Sequence, residues 1–283
     1  MVTTQKRQIK ALIELLAKES GQQAVFLRQE LSRIMKQEAQ ALHEVIEQDF
    51  HSSVPAALVH NMEEVCWEDL TQEIEAFSSK INPSLEEALS IVTRFVNPAV
   101  KAEEVTQDLD KLTRALRPLS IQSANTAELL KSMTHFFLSI ENFMVVPSAR
   151  DIKEVSFGRF LQKKIGSSLC LACLYVLCAE RFGLETGVVD LAGKLLVCMR
   201  LNDTGELLFA DPMANGRILT AEDCRNYIDS RNLEWNEAFL SPLSSRTLLR
   251  RFLGNMIFIL NKLKDERRLT YLRRYMDILK ISF

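Results

Sequence analysis

The stretch Gly166-Ser-Ser-Leu-Cys170-Leu-Ala-Cys173-Leu-Tyr-Val-Leu-Cys178-Ala-Glu-Arg181-Phe-Gly183 decides the fold. From Leu169 to Phe182 it is apolar nearly all round, and a helix without a polar face must be buried on every side. Gly183 is its C-terminal stop, since glycine alone adopts the left-handed cap without a Cβ penalty. The run is far too short to cross a bilayer, which takes about 20 apolar residues. Something must therefore cover it within the chain. Three short runs follow, Thr186 to Leu191, Lys194 to Leu201 and Glu206 to Ala210, rich in Val, Leu, Cys and Phe. Asn202-Asp203-Thr204-Gly205 is a tight-turn signal, so Lys194 to Ala210 reads as a β-hairpin. A short Arg217-Ile-Leu219 element precedes Thr220-Ala-Glu-Asp223, a helix cap.

Upstream the pattern is helical, with short turns marked by proline. Residues 4 to 50 carry Leu27, Leu31, Ile34, Leu42, Val45 and Ile46 at helical spacing, interrupted near Gly21. His51-Ser-Ser-Val-Pro55 breaks that run, and a second follows through Leu58, Met62, Val65, Leu70, Ile74 and Phe77. Asn82-Pro83-Ser84 opens a helix from Leu85 to Val96, closed by Pro98. Another is expected from Ala102 to Leu116, ending before Pro118. Asn125-Thr-Ala-Glu128 starts a helix through Leu129, Met133, Phe137 and Ile140. At the other end, Ser244 to Ile281 reads as two helices carrying ten Lys/Arg against Asp265, Glu266 and Asp277. The expected fold is α+β and mostly α: a helical N-terminal layer, a small antiparallel sheet with a buried central helix, and a C-terminal helical pair. Its parts are an N-terminal helical arm (1–54), a helical domain (55–150), a core (151–230) and the helical pair (231–283).

The chain has 283 residues, 35 Lys+Arg against 37 Asp+Glu, 47% hydrophobic and 25% charged residues. These are the proportions of a soluble globular protein, which excludes disordered, collagen-like and fibrous classes. The scarce residues fall unevenly: of nine Gly only Gly21 precedes Gly158, and His43, His51, His60 and His135 all precede it. Chemistry that needs a histidine within the second half is thereby excluded. No phosphate-binding glycine motif occurs. The N-terminus lacks the zones of a secretory signal, and the six Cys have no disulfide spacing, so thiols and a cytoplasmic location are expected. Cys170, Cys173 and Cys178 put only the first two on a common helix face, so no metal and no cofactor is expected.

The order of a buried helix beginning with Cys, a strand, a hairpin strand and a strand ending in Asp is that of the papain-like core. More specifically, Phe160-Leu-Gln-Lys-Lys-Ile-Gly166-Ser-Ser-Leu-Cys170, Arg181-Phe-Gly183, Gly193-Lys194-Leu195 and Asp211-Pro212-Met-Ala-Asn215-Gly216 resemble the SirB family of transglutaminase-like bacterial proteins. The resemblance spans about residues 60 to 283 and implies a transglutaminase-like core at 151–230, with the C-terminal pair resembling a tetratricopeptide unit. It also implies that Cys170 stands at or near the nucleophile position, where many members carry Ser, and Asp211 at that of the acid. The base position holds Lys194 instead of His. A lysine, with an ordinary pKa of about 10.4, does not accept a thiol proton at neutral pH unless burial lowers it by several units.

The relic triad is thus Cys170, Lys194 and Asp211. Beside it stands the plainer reading of Cys170 as a small buried hydrophobe. The expected function is a pseudoenzyme acting as a protein-binding or scaffold module. The alternative is a cysteine hydrolase or amide transferase with Cys170 as nucleophile and a non-standard base, Lys194 or a first-half histidine such as His135. A protein partner is expected and nucleic acid is not, since the basic C-terminal helices read as a solvated face. No transmembrane segment is expected, and residues 4–50 are a candidate surface for homo-oligomers.

Overall fold

The computed structural model describes residues 2–16, 22–37, 45, 56–123, 125–201 and 205–280. The chain forms two compact units, residues 1–73 with 97–99, and residues 74–96 with 100–283.

The first unit contains α1 (Val2–Leu16), α2 (Gln22–Gln37) and most of α3 (Ala56–Ser79). Ile9, Leu12, Ile13 and Leu16 recur at three to four residues, so α1 buries one stripe, against Leu31, Ile34, Val45 and Val65. Arg28 ties α2 to α3: its Nη1 lies 2.7 Å from Glu64, and its Nε donates to Asn61 Oδ1 at 2.7 Å. The expected breaks near Gly21 and at His51 to Pro55 fall outside the described residues.

The second unit is layered around the apolar helix. α4 (Leu85–Val96) and α5 (Ala102–Gln122) both pack against it. α6 (Thr126–His135) begins where Asn125 accepts from the Glu128 N–H at 2.9 Å, the cap expected there. The strand pair β1 (Met144–Val145) and β2 (Ile165–Gly166) is parallel, with α7 (Phe157–Lys163) between them. The central helix α8 (Ser168–Glu180) follows, and every side chain from Leu169 to Ala179 on it is buried. Next comes the antiparallel sheet β3 (Thr186–Leu191), β4 (Lys194–Arg200), β5 (Leu207–Asp211) and β6 (Arg217–Leu219), in sequential order. The tight turn expected at Asn202 to Thr204 lies outside the described residues. α9 (Ala221–Ser230), α10 (Ser245–Leu263) and α11 (Glu266–Lys280) complete the chain.

Two-residue alternation divides the sheet into two faces. Val189, Leu191, Leu196, Cys198, Phe209 and Leu219 form one, packed against Cys224 and Ile228 of α9. Val188, Val197 and Ala210, in the opposite register, form the other and are fully buried on the side of α8, which packs on β3 and β4. The outer edge of β3 is covered by the chain before α10: Leu243 N–H donates to Val188 O at 2.8 Å. Gly187 makes that approach feasible, because a Cβ there would stand 2.7 Å from Pro242. A covered edge cannot recruit a stray strand. α10 and α11 pack as a pair, with α10 against α4, and Tyr275 meets Phe95 edge-on at 5.9 Å.

Two local readings are corrected. α5 does not end before Pro118 but runs through it to Gln122. Arg114, whose carbonyl proline leaves without its helical donor, and Pro118 itself are both exposed residues, so the helix passes the proline on its outer side. The helix expected to reach Ile140 as one element leaves α geometry at Phe136 and finishes in a π turn closed by Glu141 N–H on Phe136 O at 2.8 Å. The wider turn buries both Phe136 and Phe137, the latter edge-on to Tyr175 at 4.9 Å.

Candidate functional site

Lys194 and Asp211 come together. β4 begins and β5 ends at the same end of the sheet, and both side chains share the parity of Leu196 and Phe209, which face α9. Lys194 Nζ lies 2.6 Å from Asp211 Oδ2, with the carboxylate side chain 4% exposed and the lysine 32%. The ammonium also stands 5.2 Å from the centroid of the Tyr227 ring on α9, within cation–π range.

Asp211 is committed to the backbone as well. Its Oδ1 accepts from the N–H groups of Met213 (2.9 Å) and Ala214 (3.2 Å), capping the short 3-10 turn Pro212–Ala214. Pro212 occupies the first position of that turn, where a missing N–H costs nothing. Asn215 (φ 51°) and Gly216 (φ 67°) then reverse the chain, and Gly216 N–H returns to Asp211 O at 2.9 Å. A Cβ at Gly216 would stand 2.1 Å from Thr134 Oγ1, so only glycine fits. Thr134 is held in turn by the Tyr175 hydroxyl, which donates to it at 3.0 Å. The Asp-Pro and Asn-Gly residues thus join the end of β5 to α6 and α8.

Cys170 sits in the first turn of α8, the helix on the other face of the sheet. Ser167 caps that helix, its Oγ accepting from the Cys170 N–H at 3.3 Å and donating to Cys170 Sγ at 3.3 Å. The thiol donates to Val155 O at 3.5 Å and is fully buried. A helix N-terminus ordinarily favours a thiolate. Here burial dominates and pushes the Cys170 thiol up to about 12, outweighing the Ser167 hydrogen bonds. At that value only about one molecule in 10⁵ carries a thiolate at pH 7. Burial also pushes Cys178, Cys198 and Cys224 up to about 11 and Cys173 well above its ordinary value. All six cysteines are buried, and none is in a disulfide.

Among the described residues no hydrogen bond or ion pair joins Cys170 to Lys194 or Asp211: the partners of Cys170 are Ser167 and Val155. His135 is exposed in the last turn of α6, and His43 and His51 lie outside the described residues. Among the described residues no group of three or more His, Cys, Asp or Glu could hold a metal ion. Nor is any helix there long and apolar enough to cross a membrane.

At the far end of α8, Arg181 reaches two helices. Its Nη2 lies 2.8 Å from Glu86 on α4 and its Nε 2.9 Å from Asp110 on α5. The Arg181-Phe-Gly183 stop is therefore also the clamp that sets α8 against its helical cover. A family model described as the transglutaminase-like superfamily matches residues 103–254, more than half of the chain. The chain belongs to the transglutaminase-like superfamily. The matched span of this transglutaminase-like protein includes α8, the whole sheet and α9, hence Cys170, Lys194 and Asp211. No curated protein and no solved structure matches it.

Reading the residues alone missed Ser167, Tyr227 and Thr134. Ser167 had a usable signal, a hydroxyl residue just before an apolar helix. Tyr227 and Thr134 had none, because their roles depend on which helix the sheet turns toward.

Proposed function

We propose that this transglutaminase-like protein is of the SirB type, has lost its catalytic base, and works as a protein-binding or scaffold module. The Lys194–Asp211 ion pair carries this reading. In a Cys-His-Asp triad the acid orients an imidazole that takes the thiol proton. Here Lys194 stands where the imidazole is expected, its Nζ is engaged with Asp211 at 2.6 Å, and an ammonium has no lone pair with which to act as base. Asp211 is further occupied by the turn it caps. The buried state of Cys170 supports the same conclusion from the nucleophile's side, since a buried thiol stays protonated at neutral pH and is shielded from a substrate.

The test is amine incorporation and amide hydrolysis, assayed with a glutamine-containing peptide and a fluorescent primary amine. Wild type and Cys170→Ala are expected to be equally inactive, and Cys170→Ala is expected to restore a deletion phenotype as well as wild type does. Turnover or rescue that requires Cys170 would overturn the proposal in favour of a cysteine transferase.

A further inference from the structure

Helix α10 has no acidic residue, and its outward row at i, i+4 spacing reads Arg250, Gly254, Phe258, Lys262. Phe258 is 57% exposed, and Lys262 Nζ lies 4.0 Å over its ring. Gly254, one turn before Phe258, opens onto empty space, so no neighbouring group covers that part of the row. At the helix tip Leu263 is 61% exposed, followed by exposed Lys264 in the left-handed cap. The surrounding charge is strongly segregated. Residues 245–280 hold ten Lys/Arg and three Asp/Glu, whereas the rest of the chain holds 25 basic and 34 acidic residues.

We propose that the exposed face and tip of α10 dock on an anionic phospholipid surface, with Phe258 and Leu263 entering the interface and Arg250, Lys262 and Lys264 at the level of the headgroup phosphates. Two features favour a bilayer over other anionic partners. The Lys262 ammonium over the Phe258 ring brings a cation and an apolar ring together at one exposed spot, and an interfacial helix face needs both, charge for the phosphates and apolar area for the acyl boundary. A large aromatic and a large aliphatic side chain left in water also gain from an apolar phase, which a polyanion without one does not supply. The attachment is peripheral and electrostatically driven, in keeping with a chain whose described helices cannot span a membrane.

The full-length protein is centrifuged with vesicles of phosphatidylcholine alone, or with phosphatidylserine added to about 30%, a strongly anionic surface. Expected is sedimentation with the anionic vesicles only, lost at about 1 M salt, where the screening length falls to about 3 Å. Each basic residue near an anionic surface contributes about 1 kcal/mol, so Lys262→Gln with Lys264→Gln should weaken binding about 30-fold. Phe258→Ser should weaken it by at least fivefold while changing the melting temperature little, because the ring is more than half exposed. In Phe258→Trp the indole emission should shift to the blue on adding anionic vesicles. Equal binding to neutral vesicles, no binding to anionic ones, or binding unchanged in the lysine and Phe258→Ser variants would overturn the proposal. So would a lipid-independent rise in solution mass abolished by the lysine substitutions, which would assign the face to a second copy of the chain.

Discussion

Lys194 Nζ rests 2.6 Å from Asp211 Oδ2 while the other oxygen of the same carboxylate caps the turn that follows β5. One side chain thus joins β4, β5 and the 3-10 turn, and the pair is best understood as structure. Asp211→Ala removes both the ion pair and the cap and is expected to destabilise the protein by about 2–3 kcal/mol. Lys194→Met is expected to cost about 1 kcal/mol, because the lysine is one-third exposed and water already screens part of the attraction. Urea unfolding of both single variants and the double variant checks this, with a coupling energy of about 1 kcal/mol expected.

Gly216 combines a left-handed backbone with direct contact on Thr134. Alanine there meets both the backbone penalty of about 1–2 kcal/mol and the cost of displacing a buried side chain, about 1–3 kcal/mol. Gly216→Ala should therefore lose about 3 kcal/mol in denaturant unfolding. Gly193→Ala, with a positive φ but open space around it, should lose only the backbone part.

The buried thiols make stability fall in alkali. Cys170 ionises at about 12 in the folded chain against an ordinary 9.0, so between those values the unfolded state has released a proton that the folded state keeps. A pKa raised on folding gives stability that is fully present below the unfolded value and lost as pH rises toward the folded one. The unfolding free energy, measured under reducing conditions, should decline from about pH 9 upward. Cys170→Ala should flatten that decline by up to about 1.4 kcal/mol per pH unit.

Arg181 uses its planar fork to hold Glu86 and Asp110 at once. Arg181→Met is expected to cost about 1–2 kcal/mol. Arg181→Lys should recover less than half of that, since a single ammonium does not reproduce two separately directed N–H bonds. Thermal melts of the two variants distinguish these outcomes.

The architecture was largely legible from local chemistry. The apolar run after Gly166, the glycine stop and the alternating Val, Leu and Cys of β3 and β4 each follow from one physical requirement, and the structure answers them within a residue or two. What escaped has equally local causes. A two-residue strand such as Met144–Val145 is too short to show a period. Pro118 lies on the exposed side of α5, where its cost is offset by the packing of the rest of the helix, and that packing is a tertiary fact. The π turn at Phe136 arises because two adjacent phenylalanines both find core, which periodicity does not encode. At the site, Lys194 and Asp211 were both marked, but not their union, because that depends on the register of β4 against β5. Nor was it evident that both turn toward α9 while Cys170 lies on the helix of the opposite face.

The central claim is that Cys170 is a sealed structural thiol and not a nucleophile, and the rate of its alkylation in the native protein tests it most directly. Iodoacetamide at pH 7.5, followed by intact-mass and peptide mass spectrometry, is expected to leave Cys170 unmodified in the folded chain and to label it fully after denaturation. Rapid single-site labelling of native Cys170, at a rate above that of a free thiol, would contradict the account and restore a catalytic reading of this transglutaminase-like core.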